Sequence, residues 1–431
     1  MRQLSLPVAS LPLPVQQWKQ QALAWAEAGH QVVAYYEPND IPYRHGAFQN
    51  LLGVRRKAQD LILSWSALQE NLVLPRPCPL MGYLTYDLKN GLEKLHSQHP
   101  DYLGFPELTF FAPETWITFS AESITISSTV EEPEAVAQAI LATSFTGSFS
   151  QSPIQTQARV AKEDYLQTVE QLRQHILEGD VYEVNYCQEF YAEEVRLSPL
   201  PLFWKLNQAS PTPFAGFLKL EDRYLLCASP ERFLKKEGNV LISQPIKGTI
   251  RRGNTPQEDE HQRQLLASSE KEQAENMMIV DLVRNDLNRV ASTGTVQVEE
   301  LFGLYGFRYV WQMISTVTGQ VPDSVSPVEV LKATFPMGSM TGAPKIRALE
   351  LIEQYEQTKR GLYSGSLGYF LPNGDFDFNV VIRSLQYNAQ SGYLSFEVGS
   401  AITYDSDPEQ EYQECLLKAE AINQVLQNLP R

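Results

Sequence analysis

The stretch Ser229-Pro230-Glu231-Arg232-Phe233, followed after a short charged turn by Val240-Leu241-Ile242-Ser243-Gln244-Pro245-Ile246-Lys247-Gly248-Thr249, decides how this chain reads. Tyr224-Leu225-Leu226-Cys227-Ala228 before it, and residues 240–246 within it, are apolar runs that read as strands. Lys235, Lys236, Glu237, Gly238 and Asn239 form the turn, where charge stays solvated. Glu231 and Lys247 sit at strand ends, next to proline and glycine. A hairpin of this length brings an acid and an amine towards one space. Two readings stay open here: a surface salt bridge, or an acid and an amine that act on a substrate. The second needs a neutral amine, and burial among apolar walls favours that form by lowering its pKa. Gly248 beside Lys247 removes a side chain and lets a substrate approach closely.

The chain has 431 residues, enough for one large or two medium domains. Lys and Arg number 35 against 51 Asp and Glu, a net charge of −16. That balance argues against nucleic acid or an anionic membrane as partner. An anionic substrate then needs a local cation or a nest of backbone amides. No apolar run approaches the roughly 20 residues that cross a membrane. Residues 1–15 do not read as a signal peptide. Cys78, Cys187, Cys227 and Cys415 form no C-x-x-C pair, so reduced thiols in a cytoplasm are expected. The histidines are scattered, and no zinc site is expected.

Residues 1–150 read as a mixed N-terminal region packing on a core domain at 157–431, with a Ser-, Thr-, Gln- and Gly-rich linker over 144–156. In the first region the pattern predicts helices at 16–28 and 51–68. It predicts strands at 31–36, 80–87, 108–111, 116–119 and 123–128. In the second, Tyr165, Leu166, Val169, Leu172 and Ile176 make a helical stripe over 162–177, stopped by Gly179. A strand at 181–191, a helix at 201–207 and strands at 214–220 and 224–227 lead into the opening stretch.

Ser268 or Ser269 caps a predicted helix that runs to 287, with Glu272 and Glu275 three apart on one face. A second pair, Glu411 and Glu414, lies on a predicted final helix at 408–429, four residues before Lys418 in the case of Glu414. Two such pairs either close on one Mg²⁺ or are solvated helix faces. The segment Thr334-Phe335-Pro336-Met337-Gly338-Ser339-Met340-Thr341-Gly342-Ala343-Pro344-Lys345 is a loop that opens a helix. It either offers backbone N–H groups to an anion or is a plain turn. Tyr363, Arg383 and Gly399 mark predicted strands at 362–370, 378–387 and 394–401, and Arg383 suits a planar carboxylate.

Five words now stand in one order: Ser-Pro-Glu-Arg-Phe, Pro-Ile-Lys-Gly-Thr, Ile-Val-Asp-Leu-Val-Arg-Asn-Asp-Leu, Thr-Gly-Ala-Pro-Lys-Ile-Arg-Ala and Glu-x-x-Glu-x-x-x-Lys-Ala. Together they resemble the chorismate-utilising enzymes, a family that includes anthranilate, aminodeoxychorismate, isochorismate and salicylate synthases. The resemblance is close over 162–426 and looser through Met81-Gly82-Tyr83-Leu84-Thr85-Tyr86-Asp87. It implies an α+β fold of two packed, mainly antiparallel β-sheets flanked by helices, with the site between them. It implies Mg²⁺ held by Glu275 and Glu414, with Glu272 and Glu411 binding through water, and the metal gripping the ring carboxylate of chorismate. Tyr363, Arg383 and Lys418, with backbone amides near Gly399 and Ala401, would hold the substrate's carboxylates. Gly338, Thr341 and Gly342 would line the pocket, and Thr249 and Gln312 are placed with the substrate-binding residues.

Family members that make anthranilate usually carry alanine at the position of Lys247, and those that make aminodeoxychorismate carry lysine. The resemblance therefore implies amination of chorismate for 4-aminobenzoate and folate formation. The Lys247 amine would add at ring C2 as the 4-hydroxyl leaves, and ammonia would then add at C4 and expel the lysine. Glu231 matches the family's general acid. The alternatives are anthranilate formation, or a chorismate-binding subunit without turnover. Two positions depart from the pattern. Gln312 stands where many relatives have histidine. Glu183 stands where water-using members have a lysine base and most amine-using members a glutamine; the missing lysine argues against isochorismate or salicylate formation. No cysteine lies in a glutaminase-type nucleophile turn and the chain has no room for such a domain, so ammonia is expected from a glutamine amidotransferase subunit or from solution. The N-terminal strand ends Tyr35-Tyr36-Glu37, unlike the tryptophan-binding word of feedback-regulated relatives, so no tryptophan feedback is expected.

Overall fold

The computed structural model describes residues 1–145 and 153–427. Most of the expected linker, the boundary at 150 and the last residues of the expected final helix lie outside the described residues. Among those described, two antiparallel sheets of twelve and nine strands carry the fold. Strands from residues 1–128 are woven into both sheets: Val32–Glu37 pairs with Phe214–Leu220 in the larger, and Leu80–Leu84 with Ser366–Phe370 in the smaller. No helix among the described residues is long and apolar enough to cross a membrane.

Three apolar layers follow from strand alternation. In Val32–Glu37, the side chains of Val32, Ala34 and Tyr36 enter a core between the sheets. Val33 and Tyr35 point the other way, into a second core under helices that include Lys162–Leu177 and Pro408–Gln427. A third core lies between the smaller sheet and the helices Glu270–Asn288 and Pro327–Thr334. A strand buried on both faces is a continuous apolar run, as this one is.

Four sequence expectations about elements are corrected. Lys235, Lys236 and Glu237 are not in the turn: they end the strand Arg232–Glu237, paired with Val240–Gln244, and only Gly238 and Asn239 turn the chain. Residues 51–68 are not one helix. Leu51–Arg55 is a buried strand, and a separate helix, Trp65–Val73, starts where the Ser64 side chain accepts from the Ala67 N–H. Residues 240–246 are not one uninterrupted strand. Val240–Gln244 and Ile246–Arg251 both pair with Val310–Gln320, and Pro245, which has no N–H, separates them. Residues 378–387 are two strands in different sheets. Phe376–Asn379 belongs to the smaller and Ser384–Asn388 to the larger, so residues 380–383 cross between them, ending on Arg383 at φ +51°.

Buried polar locks hold these layers in register. The Asn276 amide, on Glu270–Asn288, donates to Lys247 O and Met313 O at 3.3 Å each and accepts from Ser315 Oγ at 2.6 Å. Arg360 binds both oxygens of Glu356 and donates to Met340 O, Asn185 O and Ser364 Oγ. Five charge-assisted bonds on a guanidinium 1% exposed satisfy it fully. They tie the loop at 337–341 to the strand Glu183–Ala192.

Candidate active site

Lys247 stands on Ile246–Arg251 in the smaller sheet, and Glu183 opens Glu183–Ala192 in the larger. Lys247 Nζ donates to Glu183 Oε1 at 2.9 Å, with side chains 12% and 1% exposed. The direct partner of Lys247 is therefore a residue of the opposite sheet, and Glu231 acts on it through charge alone. Burial pulls the Lys247 ammonium down. The carboxylates of Glu183, Glu275 and Glu231 outweigh burial and hold it above the ordinary lysine value. The expected apolar walls and lowered pKa are thus corrected: the walls are carboxylates, and the resting amine is charged.

Each group has a local reason for its place. Gly248 has φ +97°, and a Cβ there would come within 3.1 Å of Glu272 Oε2, so glycine lets the acidic helix lie against the lysine strand. Gly342 has φ +151°, and a Cβ there would meet Glu183 O at 2.2 Å. The glycine-proline loop can therefore clamp the strand that presents Glu183, with the Tyr182 N–H donating to Ala343 O at 2.7 Å. Within the loop, the Met340 and Thr341 N–H groups are spent on Met337 O and Gly338 O, and the Thr341 hydroxyl turns to the same two carbonyls.

Glu231, 4% exposed, is pushed up to about 7 by burial. A Ser339 hydrogen bond, the Lys247 charge, the Ile246 amide and Arg383 each pull it back. A large fraction of Glu231 is protonated at neutral pH, as a general acid requires. Arg383 faces Glu231, and burial pulls its guanidinium down. It makes no side-chain hydrogen bond or ion pair with any described residue. An unpaired guanidinium beside an acid that is only partly ionised can seat a carboxylate.

The four glutamates all lie within charge range of Lys271, but no three of them bring carboxylate oxygens within 4.8 Å of one another; among the described residues His175, Glu178 and Asp180 do. Burial lowers the Lys271 ammonium, and the charges of Glu275, Glu411, Glu272 and Glu414 together raise it above its ordinary value. Lys271 Nζ lies 3.8 Å from Glu275 Oε1 with its side chain 61% exposed, so it can swing out. Glu275 is pushed up to about 7 by burial, with Glu272 and Glu183 adding to the rise against Lys247 and Lys271. Glu414 is held low, burial being outweighed chiefly by Lys418 at 2.8 Å. Glu411 gives one oxygen to Ser406 Oγ at 2.8 Å.

Lys418 also donates to Gly399 O at 2.7 Å. Ala401 pairs with Asn185, whose N–H donates to Thr341 O at 2.8 Å. Tyr363, buried, accepts weakly from Cys187 Sγ at 3.7 Å. Gly338 backs onto Leu282 of the acidic helix. Gln312 is buried with Oε1 unpartnered, across the ladder from exposed Thr249. Among the described residues neither side chain is hydrogen-bonded to Lys247 Nζ, which donates to Glu183. Sequence reasoning missed Ser339 and Asn276, although Asn276 directly follows Glu275 as a polar residue entering an apolar run. In the N-terminal strand, Glu37 is taken by Lys19 at 3.0 Å, Asn50, Asn39 and the Tyr35 hydroxyl.

A buried amine paired with a carboxylate across the two sheets, a half-protonated acid and an unpaired guanidinium, with two acidic helices alongside, make an enzyme-like site. Residues 24–424 match the chorismate binding enzyme family, and the chain belongs to that family. It is similar to the probable chloroplastic aminodeoxychorismate synthase of Oryza sativa subsp. japonica, 42% identical over 66% of this chain and 32% of that protein. It is also similar to aminodeoxychorismate synthase component 1 of Escherichia coli, 41% identical over 64% of this chain and 59% of that protein. The chain thus spans about a third of the rice protein. Among solved structures, anthranilate synthase component I from Streptococcus pneumoniae superposes with a TM-score of 0.74 at 27% identity, covering 98% of this chain and 92% of that one.

Glu231 and Glu275 hold their protons up to about 7 when folded, against 4.5 ordinarily. Between those values the folded state binds the extra protons, so their contribution to stability is full below about 4.5 and is lost as pH rises to about 7. In metal-free protein, Glu231→Gln is expected to raise the urea-unfolding free energy by roughly 1–3 kcal/mol at pH 8. At pH 4.5 the same substitution should change little. Urea titrations at both pH values check this; an equal shift at both would contradict it.

Proposed function

We propose that this chain aminates chorismate at C4 to give 4-amino-4-deoxychorismate, with the enolpyruvyl group retained, as component I of an aminodeoxychorismate synthase. The observation that carries this reading is Lys247, a primary amine enclosed with Glu231 and Glu183 between the sheets. The names of the rice and Escherichia coli relatives support it. In the proposed reaction, neutral Lys247 Nζ bonds to ring C2. The ring double bonds shift, the C4–O bond breaks, and the hydroxyl takes the Glu231 proton and leaves as water. Ammonium then gives its proton to Glu231, and the resulting ammonia bonds to C4. The double bonds shift back and the C2–N bond to Lys247 breaks. Arg383 would anchor a substrate carboxylate, which orients C2 towards Nζ.

Glu275, Glu414, Glu272 and Glu411 would hold Mg²⁺, in competition with the Lys271 ammonium, whose charge all four now favour. When bound, Mg²⁺ neutralises and orients the ring carboxylate. Burial pushes all four thiols up, so none is poised to attack glutamine. That supports a separate glutamine amidotransferase subunit as the source of ammonia.

Incubation with chorismate, Mg²⁺ and ammonium, followed by mass spectrometry, should give an amino product that keeps the enolpyruvyl group. Lys247→Ala should lower its rate by at least roughly 10³-fold. Anthranilate with pyruvate from the wild-type chain would overturn the assignment. For the metal, calorimetry should show Mg²⁺ binding weakened about tenfold or more in Glu275→Gln and strengthened several-fold in Lys271→Met, which loses the competing ammonium. Unchanged affinity in both would contradict the four-glutamate site.

A further inference from the structure

Lys247 Nζ donates to Glu183 Oε1 at 2.9 Å and must be a neutral amine to attack, so a group beside it has to take its proton. Glu231 is already committed to the hydroxyl and the incoming ammonium. Glu272, Glu275 and Glu414, which also face Lys247, are on the helices that would hold the metal. Among the described residues only Glu183 is hydrogen-bonded to Nζ, at 2.9 Å. Its second oxygen, Oε2, is buried and has no hydrogen-bond partner. This matters for basicity. A carboxylate that accepts several N–H or O–H donors is stabilised as the anion and becomes a poor base. Glu183 accepts from the lysine alone, so moving that proton costs it no other bond.

We infer that Glu183 is the proton acceptor for Lys247: a catalytic carboxylate, presented from the opposite sheet, that frees the amine for attack and returns the proton when the amine is expelled. This rests on the proposed amination through Lys247. The step balances. The Nζ–H bond breaks and an O–H bond forms on Glu183, while the nitrogen lone pair forms the bond to C2. When ammonia displaces the lysine, the C2–N electrons return to Nζ, which retakes the Glu183 proton and restores the ion pair. Glu231 meanwhile passes its own proton to the departing hydroxyl and regains one from ammonium. Net, chorismate and ammonium give the aminated product and water.

The test isolates the first half of the reaction. Chorismate and Mg²⁺ without ammonium are mixed with enzyme, quenched at intervals, and the intact protein mass is followed for an increase of chorismate minus water. Wild type should gain the adduct. Glu183→Gln, which keeps the volume and one hydrogen bond, should gain it about 10²-fold more slowly or worse. Glu183→Ala should be as slow and should recover saturably with added formate, which can enter the vacated space as a base; Glu183→Gln should not respond. Recovery by formate also shows that the alanine variant is folded. An adduct rate in Glu183→Gln within about twofold of wild type would overturn this inference alone. A wild-type chain that releases product but never carries the adduct would overturn it together with the lysine pathway.

Discussion

The buried ion pair between Lys247 and Glu183 is the constraint around which the rest is arranged. It joins strands of different sheets, with side chains 12% and 1% exposed. A pair removed from water stabilises little by itself, because desolvating two charges offsets most of their attraction. Its value is positional. It fixes Nζ at the seam between the sheets, and it keeps a cation there that would otherwise be lost to burial. Asn276 holds the backbone of Lys247 against the acidic helix, and Arg360 holds the glycine-proline loop against the strand of Glu183. Both halves of the pair are thereby braced from behind.

A protein of net charge −16 must localise positive charge to bind the dianion of the proposed reaction. This site does so with few cations, each given a different neighbourhood. Arg383 is left without a hydrogen bond beside an acid that burial keeps partly protonated. Lys418 is bound to Glu414 and a carbonyl. Lys271 stands among four glutamates on an exposed stem that can leave. Lys247 is enclosed with carboxylates that favour its charged form. The same residue type thus stands as tether, as exposed counter-ion and, in the proposed reaction, as nucleophile, according to burial and partners.

Much of this was legible in the chain. The helix at 162–177, the acidic pairs on single helix faces and the helix opening after Pro344 were set by local spacing and caps, and they stand as read. The two-sheet architecture was legible through the resemblance carried by the five words. Local patterns failed where tertiary context decides. Leu51 to Val54 is apolar enough for either helix or strand, and only the flanking strands at the sheet settle it. The crossing at 380–383 has no breaker residue to announce it. The partner of Lys247 lies 64 positions away, on a strand whose glutamate looked like an unexplained departure. The state of the lysine followed from that partner, so apolar walls were the natural expectation and carboxylates the finding.

The most direct measurement is the location of the covalent bond. Wild-type protein quenched with chorismate and Mg²⁺ in the absence of ammonium is digested, and the fragments are sequenced by tandem mass spectrometry. The account predicts that the added mass, chorismate less water, lies on Lys247. An unmodified Lys247 in protein that completes amination when ammonium is supplied would contradict it.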